Sequence, residues 1–162
     1  MIRLARQDDA GWITDIWNKV INDTTLTFTT QPKTVDDISD MIASAGSAFL
    51  VEQGQGFATY GLFRGGPGYQ HVREHTIYLD EAAQGKGLGR ALLSALETVG
   101  REQGIDIFVG GISSSNPGAK AFHENMEYRQ VADMPGLGRK WDKTLDLWFM
   151  QKNLRDTRDA GV

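Results

Sequence analysis

The chain has 162 residues and a mass of 17.9 kDa, a size that suits one domain with a real core. Its 17 Lys and Arg against 21 Asp and Glu leave a net charge of −4, which argues against a general nucleic-acid surface, so any anion site must be built locally. No stretch has the apolar length of a signal peptide or a membrane span, and the absence of cysteine removes disulfides, thiolate zinc sites and a cysteine acyl-enzyme while fitting a reducing cytoplasm.

IRLA (2–5) predicts a short strand. Asp8 or Asp9 then caps a helix whose Trp12, Ile13, Ile16, Trp17, Val20 and Ile21 make one broad apolar side. The polar, β-branched and proline-ended run NDTTLTFTTQPK (22–33) reads as a loop. Thr34 with Asp37 has the form of a cap and opens a short helix carrying Ile38, Met41 and Ile42. AFLVEQ and FATYGLF flank Gly54-Gln55-Gly56, a hairpin signal. RGGPGYQ (64–70) is a loop, and TIYL (76–79) has strand composition.

Farther along, Leu88, Leu92, Leu96 and Val99 recur at helical spacing to about residue 103. IDIFVGGI (105–112) predicts a strand, and Asn116-Pro117 starts a helix through Met126. A Gly- and Pro-rich loop (133–140) leads to a final strand, TLDLWFMQ (144–151), whose LWFM run reads as buried on both faces. The order β-α-α-β-β-β-α-β-α-β describes a single α+β domain over residues 1–152, with a mixed, mostly antiparallel sheet flanked by helices. Residues 153–162 form a short tail expected to fray.

The segment between strand 76–79 and the next helix is AAQGKGLGRALL, with Gly85, Gly87 and Gly89 inside five positions. Glycine gives up more backbone freedom on folding than any other residue, so this density needs a reason. A strand, a glycine turn and a helix start place backbone N–H groups outward at a positive dipole end, where an anion can approach bare main chain. Lys86 and Arg90 add charge. The plain alternative is a tight strand-to-helix turn. A P-loop would need GxxxxGK followed by Ser or Thr, and a dinucleotide fold would need GxGxxG after a first strand; neither pattern is present.

HVREH (71–75) also fits HxxEH, a zinc-peptidase signature that works on a helix. Its flanks GPGYQ and TIYL predict a strand, in which residues four apart lie roughly 13 Å apart and cannot share a metal. No metal site is expected.

QGKGLG (84–89) matches the Q/R-x-x-G-x-G/A motif of the GNAT N-acetyltransferases. Together with GYQHVREHTIYL, NPGAKAFHENMEY and GRKWDKTLDLWFMQ, it resembles the branch containing phosphinothricin and methionine-sulfoximine acetyltransferases, over about residues 2 to 152. The resemblance implies a GNAT fold and acetyl-coenzyme A (acetyl-CoA) as co-substrate. It places the pyrophosphate on Gln84, Gly85, Lys86, Gly87, Leu88, Gly89 and Arg90, and the pantetheine arm along the backbone of Ile77, Tyr78 and Leu79. An N–H there, that of Leu79, would stabilise the carbonyl oxygen. Asn116 and Asn125 correspond to asparagines that hydrogen-bond the coenzyme, although Asn116 also reads simply as a helix cap. One departure is Glu127-Tyr128, where the family usually has Gly-Phe.

Without cysteine, direct attack of the amine on the thioester in a ternary complex is the natural route. Glu74 is the general-base candidate, since its strand leads into the cradle and the resemblance puts a family glutamate there. Its plain alternative is a solvated carboxylate paired with Arg73. His123 stands where many relatives carry a tyrosine acid, and imidazole would protonate the thiolate unless it is only a half-buried helix histidine. Arg64 and Arg73 are placed on the acceptor side, suited to an anionic group, with His75 and Thr76 beside them and Phe28 as an apolar wall. The expected acceptor is a small amino-acid-like amine. A polyamine, an antibiotic or a protein N-terminus are the alternatives, and a non-catalytic acyl-CoA sensor is the alternative of another class. The LWFM strand suits a homodimer; neither nucleic acid nor membrane is an expected partner, and the expected location is the cytoplasm.

Overall fold

The computed structural model describes residues 1–155. Its elements are β1 (Arg3–Leu4), α1 (Ala10–Asp23), α2 (Val35–Ala45), β2 (Phe49–Glu52), β3 (Gly56–Leu62), β4 (Val72–Leu79), α3 (Leu88–Glu102), β5 (Ile107–Ser113), α4 (Pro117–Asn125), β6 (Arg129–Lys140) and β7 (Lys143–Asn153). The seven strands form one sheet in the order β1-β2-β3-β4-β5-β7-β6.

The helix starts follow from local chemistry. Asp9 accepts the Arg6 N–H at 2.8 Å and is held by the Arg3 guanidinium at 2.7 and 2.9 Å, so it closes the single turn that leads into α1. Those bonds, the Arg3 one first, hold its carboxyl at about 2. At α2, the Thr34 hydroxyl accepts the Asp37 N–H at 3.1 Å and the Asp37 carboxylate accepts the Thr34 N–H at 2.8 Å, a reciprocal capping box.

The sheet separates two apolar layers. Ile13, Trp17 and Ile21 of α1 and Ile38 of α2 pack with Phe49, Val51 and Phe57 on one face. Leu92, Leu93 and Leu96 of α3 pack with Leu50, Phe108 and Met150 on the other. Phe49 and Val51 thus point one way and Leu50 the other, the period-2 alternation of a strand.

All neighbouring strands are antiparallel except β4 and β5, which run parallel. Their pairing covers Val72–Ile107, Arg73–Phe108 and Glu74–Val109 and then stops. Both strands continue, to Leu79 and to Ser113, so they fork. Backbone groups on the β5 side of residues 75–79 are left without a ladder partner, and the fork opens toward the glycine loop.

Three expectations need correction. The Gly- and Pro-rich stretch 133–140 is the second half of strand β6, not a loop. It lies at the sheet edge and carries register shifts between Gln130 and Ala132 and between Met134 and Gly138, which is where a sheet tolerates proline and glycine. Within LWFM only Met150 is buried, while Leu147, Trp148 and Phe149 are half-buried. Packing also runs past residue 152. Leu154 is buried and donates its N–H to Asp106 at 2.7 Å, and Arg155 Nε donates to the Asp106 carboxylate at 2.7 Å. The rest of the expected tail, 156–162, lies outside the described residues.

Candidate active site

The loop after β4 takes the shape its glycines allow. Gly85 and Gly87 adopt φ of +74° and +81°, the left-handed region that side chains rarely enter, and Gly87 is the residue from which α3 starts. Gly89 lies where α3, α4 and β4 meet, and a Cβ there would make ordinary contact with the Phe122 ring at 3.4 Å and with Leu79 at 3.7 Å. The result is an exposed turn at the N-terminus of a 15-residue helix. Gln84 and Lys86 are exposed on it, Leu88 packs against the core, and Arg90 donates to the Asn125 carbonyl at 3.2 Å, tying the cradle to the end of α4. This geometry suits an anion such as a pyrophosphate.

Beside the cradle, Ile77 and Leu79 turn their side chains into the α3 layer and Tyr78 into the α1 layer, leaving their backbone to line the fork. Burial pushes the Tyr78 phenol up to about 12. Asn116 caps α4, its amide oxygen accepting the Ala119 N–H at 3.1 Å. At the far end of α4, Glu127 takes φ +69°, the conformation for which glycine is the usual residue.

Glu74 occupies the last paired position before the fork. It is half-buried on the face that carries Tyr78, and burial raises its carboxyl above the ordinary range. Gly111 on β5 makes room for it, because a Cβ there would lie 3.2 Å from Glu74 Oε1. No ion pair reaches Glu74 among the described residues. The alternative of a carboxylate paired with Arg73 is therefore overturned. Arg73 leaves β4 on the opposite face and donates to the Gln70 and Val72 carbonyls at 2.7 and 2.9 Å. A partly desolvated carboxylate without a cation is a suitable proton acceptor near neutral pH.

The other acceptor-side residues divide. Thr76 shares the Glu74 face by alternation and is half-buried. Phe28 lies over β6, its ring in the space that a Cβ of Gly138 would take. Arg64 is exposed, its guanidinium 5.6 Å from the Tyr69 ring. His75 does not face the acceptor side: it is 6% exposed, packed in the α3 layer beside Phe108 and Tyr128.

His75 instead meets His123, which is itself 5% exposed, with 2.8 Å between their Nε2 atoms. His123 Nδ1 is 2.7 Å from the Ala119 carbonyl, which can only accept, so that nitrogen carries the proton. His123 Nε2 then holds a lone pair and takes the His75 Nε2–H. Burial lowers both imidazoles, His75 to about 3. This arrangement favours the packed-histidine alternative for His123, since its one proton is committed to a helix carbonyl.

HVREH forms no helix: His71 lies in the turn before β4 and His75 within the strand, so the helical spacing that the zinc signature relies on is not present. Two polar elements had no clear signal in the sequence. Buried Lys140 donates to the Ile21 and Thr27 carbonyls at 2.6 and 3.0 Å, pinning loop 24–34 to the β6–β7 hairpin. Buried Glu97 accepts from Tyr128 at 3.1 Å and Lys152 at 2.9 Å.

Known proteins share this frame. The family model described as Acetyltransferase (GNAT) family matches residues 13–128. The L-amino acid N-acyltransferase MnaT of Escherichia coli is 34% identical, over 99% of this chain and 98% of that protein. An L-methionine sulfoximine/L-methionine sulfone acetyltransferase of Pseudomonas aeruginosa is also 34% identical, over 98% and 97%. Among solved structures, yncA, a putative acetyltransferase from Salmonella typhimurium with its cofactor acetyl-CoA, superposes with a TM-score of 0.91 at 32% identity, over 96% and 94% of the two chains. A forked β4–β5 pair, a glycine cradle at the head of α3 and these full-length similarities lead to one assignment: the chain belongs to the GNAT acetyltransferase family.

Proposed function

We propose that this chain transfers the acetyl group of acetyl-CoA to the amine of a small amino-acid-like acceptor of the methionine sulfoximine, methionine sulfone or phosphinothricin type. The observation that carries the reading is Glu74, a half-buried carboxylate at the mouth of the β4–β5 fork with no cation partner among the described residues. Backbone N–H groups of residues 85–90, with Lys86 and Arg90, hold the pyrophosphate, and the backbone of Ile77, Tyr78 and Leu79 holds the pantetheine arm. Asn116 and Asn125 lie at the two ends of α4, and the proposal gives them hydrogen bonds to the coenzyme.

Glu74 accepts the proton of the acceptor's ammonium, directly or through one water, and frees the amine lone pair. The amine attacks the thioester carbon while the Leu79 N–H steadies the developing oxyanion. The new C–N bond forms, the C–S bond breaks, and the coenzyme thiolate leaves with the bonding pair and takes up the second proton that the nitrogen sheds as the amide forms. Thiolate is a tolerable leaving group without an acid, so the committed proton of His123 is no obstacle.

A homodimer belongs to the same proposal. Edge strand β6 exposes Val131, Met134 and Leu137, and the adjoining β7 is only half covered. So does a cytoplasmic setting, which the cysteine-free composition suits. Among the described residues no helix is long and apolar enough to cross a membrane.

The test is a thiol-release assay with acetyl-CoA and L-methionine sulfone, L-methionine sulfoximine, phosphinothricin, spermidine and a peptide N-terminus. The proposal expects release with the amino-acid acceptors. Release confined to spermidine or the peptide contradicts the acceptor class, and coenzyme binding with no release for any amine points to a sensor.

A further inference from the structure

Loop 24–34 joins α1 to α2 without a strand or helix of its own. Its internal hydrogen bonds are local: the Leu26 N–H donates to the Thr24 hydroxyl at 3.2 Å and the Gln31 N–H to the Thr29 hydroxyl at 3.1 Å. Its course is therefore set from outside. Asn18 holds one end through Lys33, whose N–H and C=O it engages at 2.8 Å each. Lys140 holds the other end and the middle, its ammonium donating to the Ile21 carbonyl in the last turn of α1 at 2.6 Å and to the Thr27 carbonyl at 3.0 Å. Lys140 is 3% exposed, and no carboxylate pairs with it among the described residues. A buried ammonium needs polar partners in place of water. Here they are one helix-end carbonyl, favoured for a cation, and one loop carbonyl, with the Trp141 ring 4.5 Å away.

The course so fixed crosses the Glu74 face. The Phe28 ring fills the space that a Cβ of Gly138 would take on β6, and the Thr27 side chain meets the Tyr78 phenol on β4. Tyr78 shares the Glu74 face by alternation. The Thr25 hydroxyl donates to Ser115 at 2.9 Å, just past the end of β5. Since β5 and β7 lie between β4 and β6, the loop spans the end of the sheet at which the β4–β5 fork opens. Building on the function proposed above, we infer that Lys140 is a positioning residue for acetyl transfer: it fixes loop 24–34 so that Thr27 and Phe28 wall the acceptor in beside Glu74. Lys140 grips main chain only, and the loop residue it grips immediately precedes Phe28. Buried beneath the loop, it acts through the loop and not on the substrate. The glycine cradle heads α3, away from these bonds, so loss of Lys140 should be felt by the acceptor and not by acetyl-CoA.

The experiment measures KM and kcat for L-methionine sulfone and for acetyl-CoA, with a melting curve for each protein. Lys140→Met keeps the aliphatic stem and removes every donor. It should raise the methionine sulfone KM about tenfold or more while the acetyl-CoA KM stays within about twofold of the parent. Lys140→Arg keeps a cation and its donors and should recover most of the loss. Phe28→Ala should raise the same KM, and adding Lys140→Met to it should cost little more, because both remove one wall. If Lys140→Met does not fold, Lys140→Gln, which keeps an amide donor for the two carbonyls, takes its place and should show the same split. Equal rises in both KM values, a lowered melting temperature with both KM values parental, or full additivity with Phe28→Ala overturns the inference and leaves acetyl transfer intact. Absence of transfer to methionine sulfone by the parent overturns the acceptor reading and the inference with it.

Discussion

His75 and His123 share one hydrogen bond, Nε2 to Nε2 at 2.8 Å, and that bond assigns a tautomer to each ring. With His123 Nδ1–H given to Ala119, His75 must donate, and its own Nδ1 is left as a buried lone pair without a partner among the described residues. Gly110 makes room for the pair, since a Cβ there would lie 3.1 to 3.2 Å from both rings. Gly110 is the first β5 residue beyond the parallel pairing, so the histidines sit under the point where the fork opens.

A neutral buried pair makes stability depend on pH in one direction. Burial, the largest cause, lowers His75 from 6.5 in the unfolded chain to about 3 and also lowers His123, which faces Tyr128 and feels the opposing charge of Glu97. The unfolded chain therefore binds more protons in this window. The stabilisation is complete above about pH 6.5 and is lost as pH falls toward 3. We expect the melting temperature to drop between pH 7 and pH 4, and His75→Phe to flatten that drop. A parental pH dependence in His75→Phe would show that the pair titrates freely.

Substitution of Gly87 separates backbone strain from ligand approach. No atom lies within 4 Å of a Cβ placed there, so the cost of Gly87→Val to the free protein comes from φ +81° alone, about 1–2 kcal/mol. In the parent, acetyl-CoA at a hundred times its dissociation constant should add about 2.7 kcal/mol of stability. In Gly87→Val that shift should vanish. Thermal melting with and without coenzyme checks both effects, and a full shift in the variant would move the pyrophosphate elsewhere.

Glu127 offers a stabilising change. It holds φ +69° at the exit of α4 and is exposed, its distant pairing with Lys152 at 3.9 Å contributing little. Glu127→Gly relieves the left-handed strain at a smaller entropic cost, so a gain of up to about 1 kcal/mol is expected in denaturant unfolding. A clear loss would mean that the Glu127 side chain holds the helix exit in place.

Much of the site was legible because its signals are local. The Thr34–Asp37 cap, the hairpin at residues 54–56 and the glycine turn each follow from a few adjacent residues, and each formed as read. Strand β6 was missed because Pro135, Gly136 and Gly138 have loop composition; bulges absorb them, and Gly138 is bare because Phe28 covers it. Arg73 and His75 were misplaced although the signal was there: neighbours of Glu74 in a strand must point away from it. The Lys140 contacts, which pin a loop more than 110 residues away, leave no mark in sequence.

Glu74 as the proton acceptor is the central claim, and a pH–rate profile of Glu74→Gln beside the parent tests it most directly. Glutamine keeps the shape and some hydrogen bonding but accepts no proton. Loss of a positioned base costs about 10²–10⁴-fold, so the variant should bind acetyl-CoA normally and transfer acetyl slower by that factor at neutral pH. The deficit should narrow as pH rises and the acceptor loses its own proton. Parental rates for Glu74→Gln across the whole range would contradict the account and leave Glu74 an ordinary strand carboxylate.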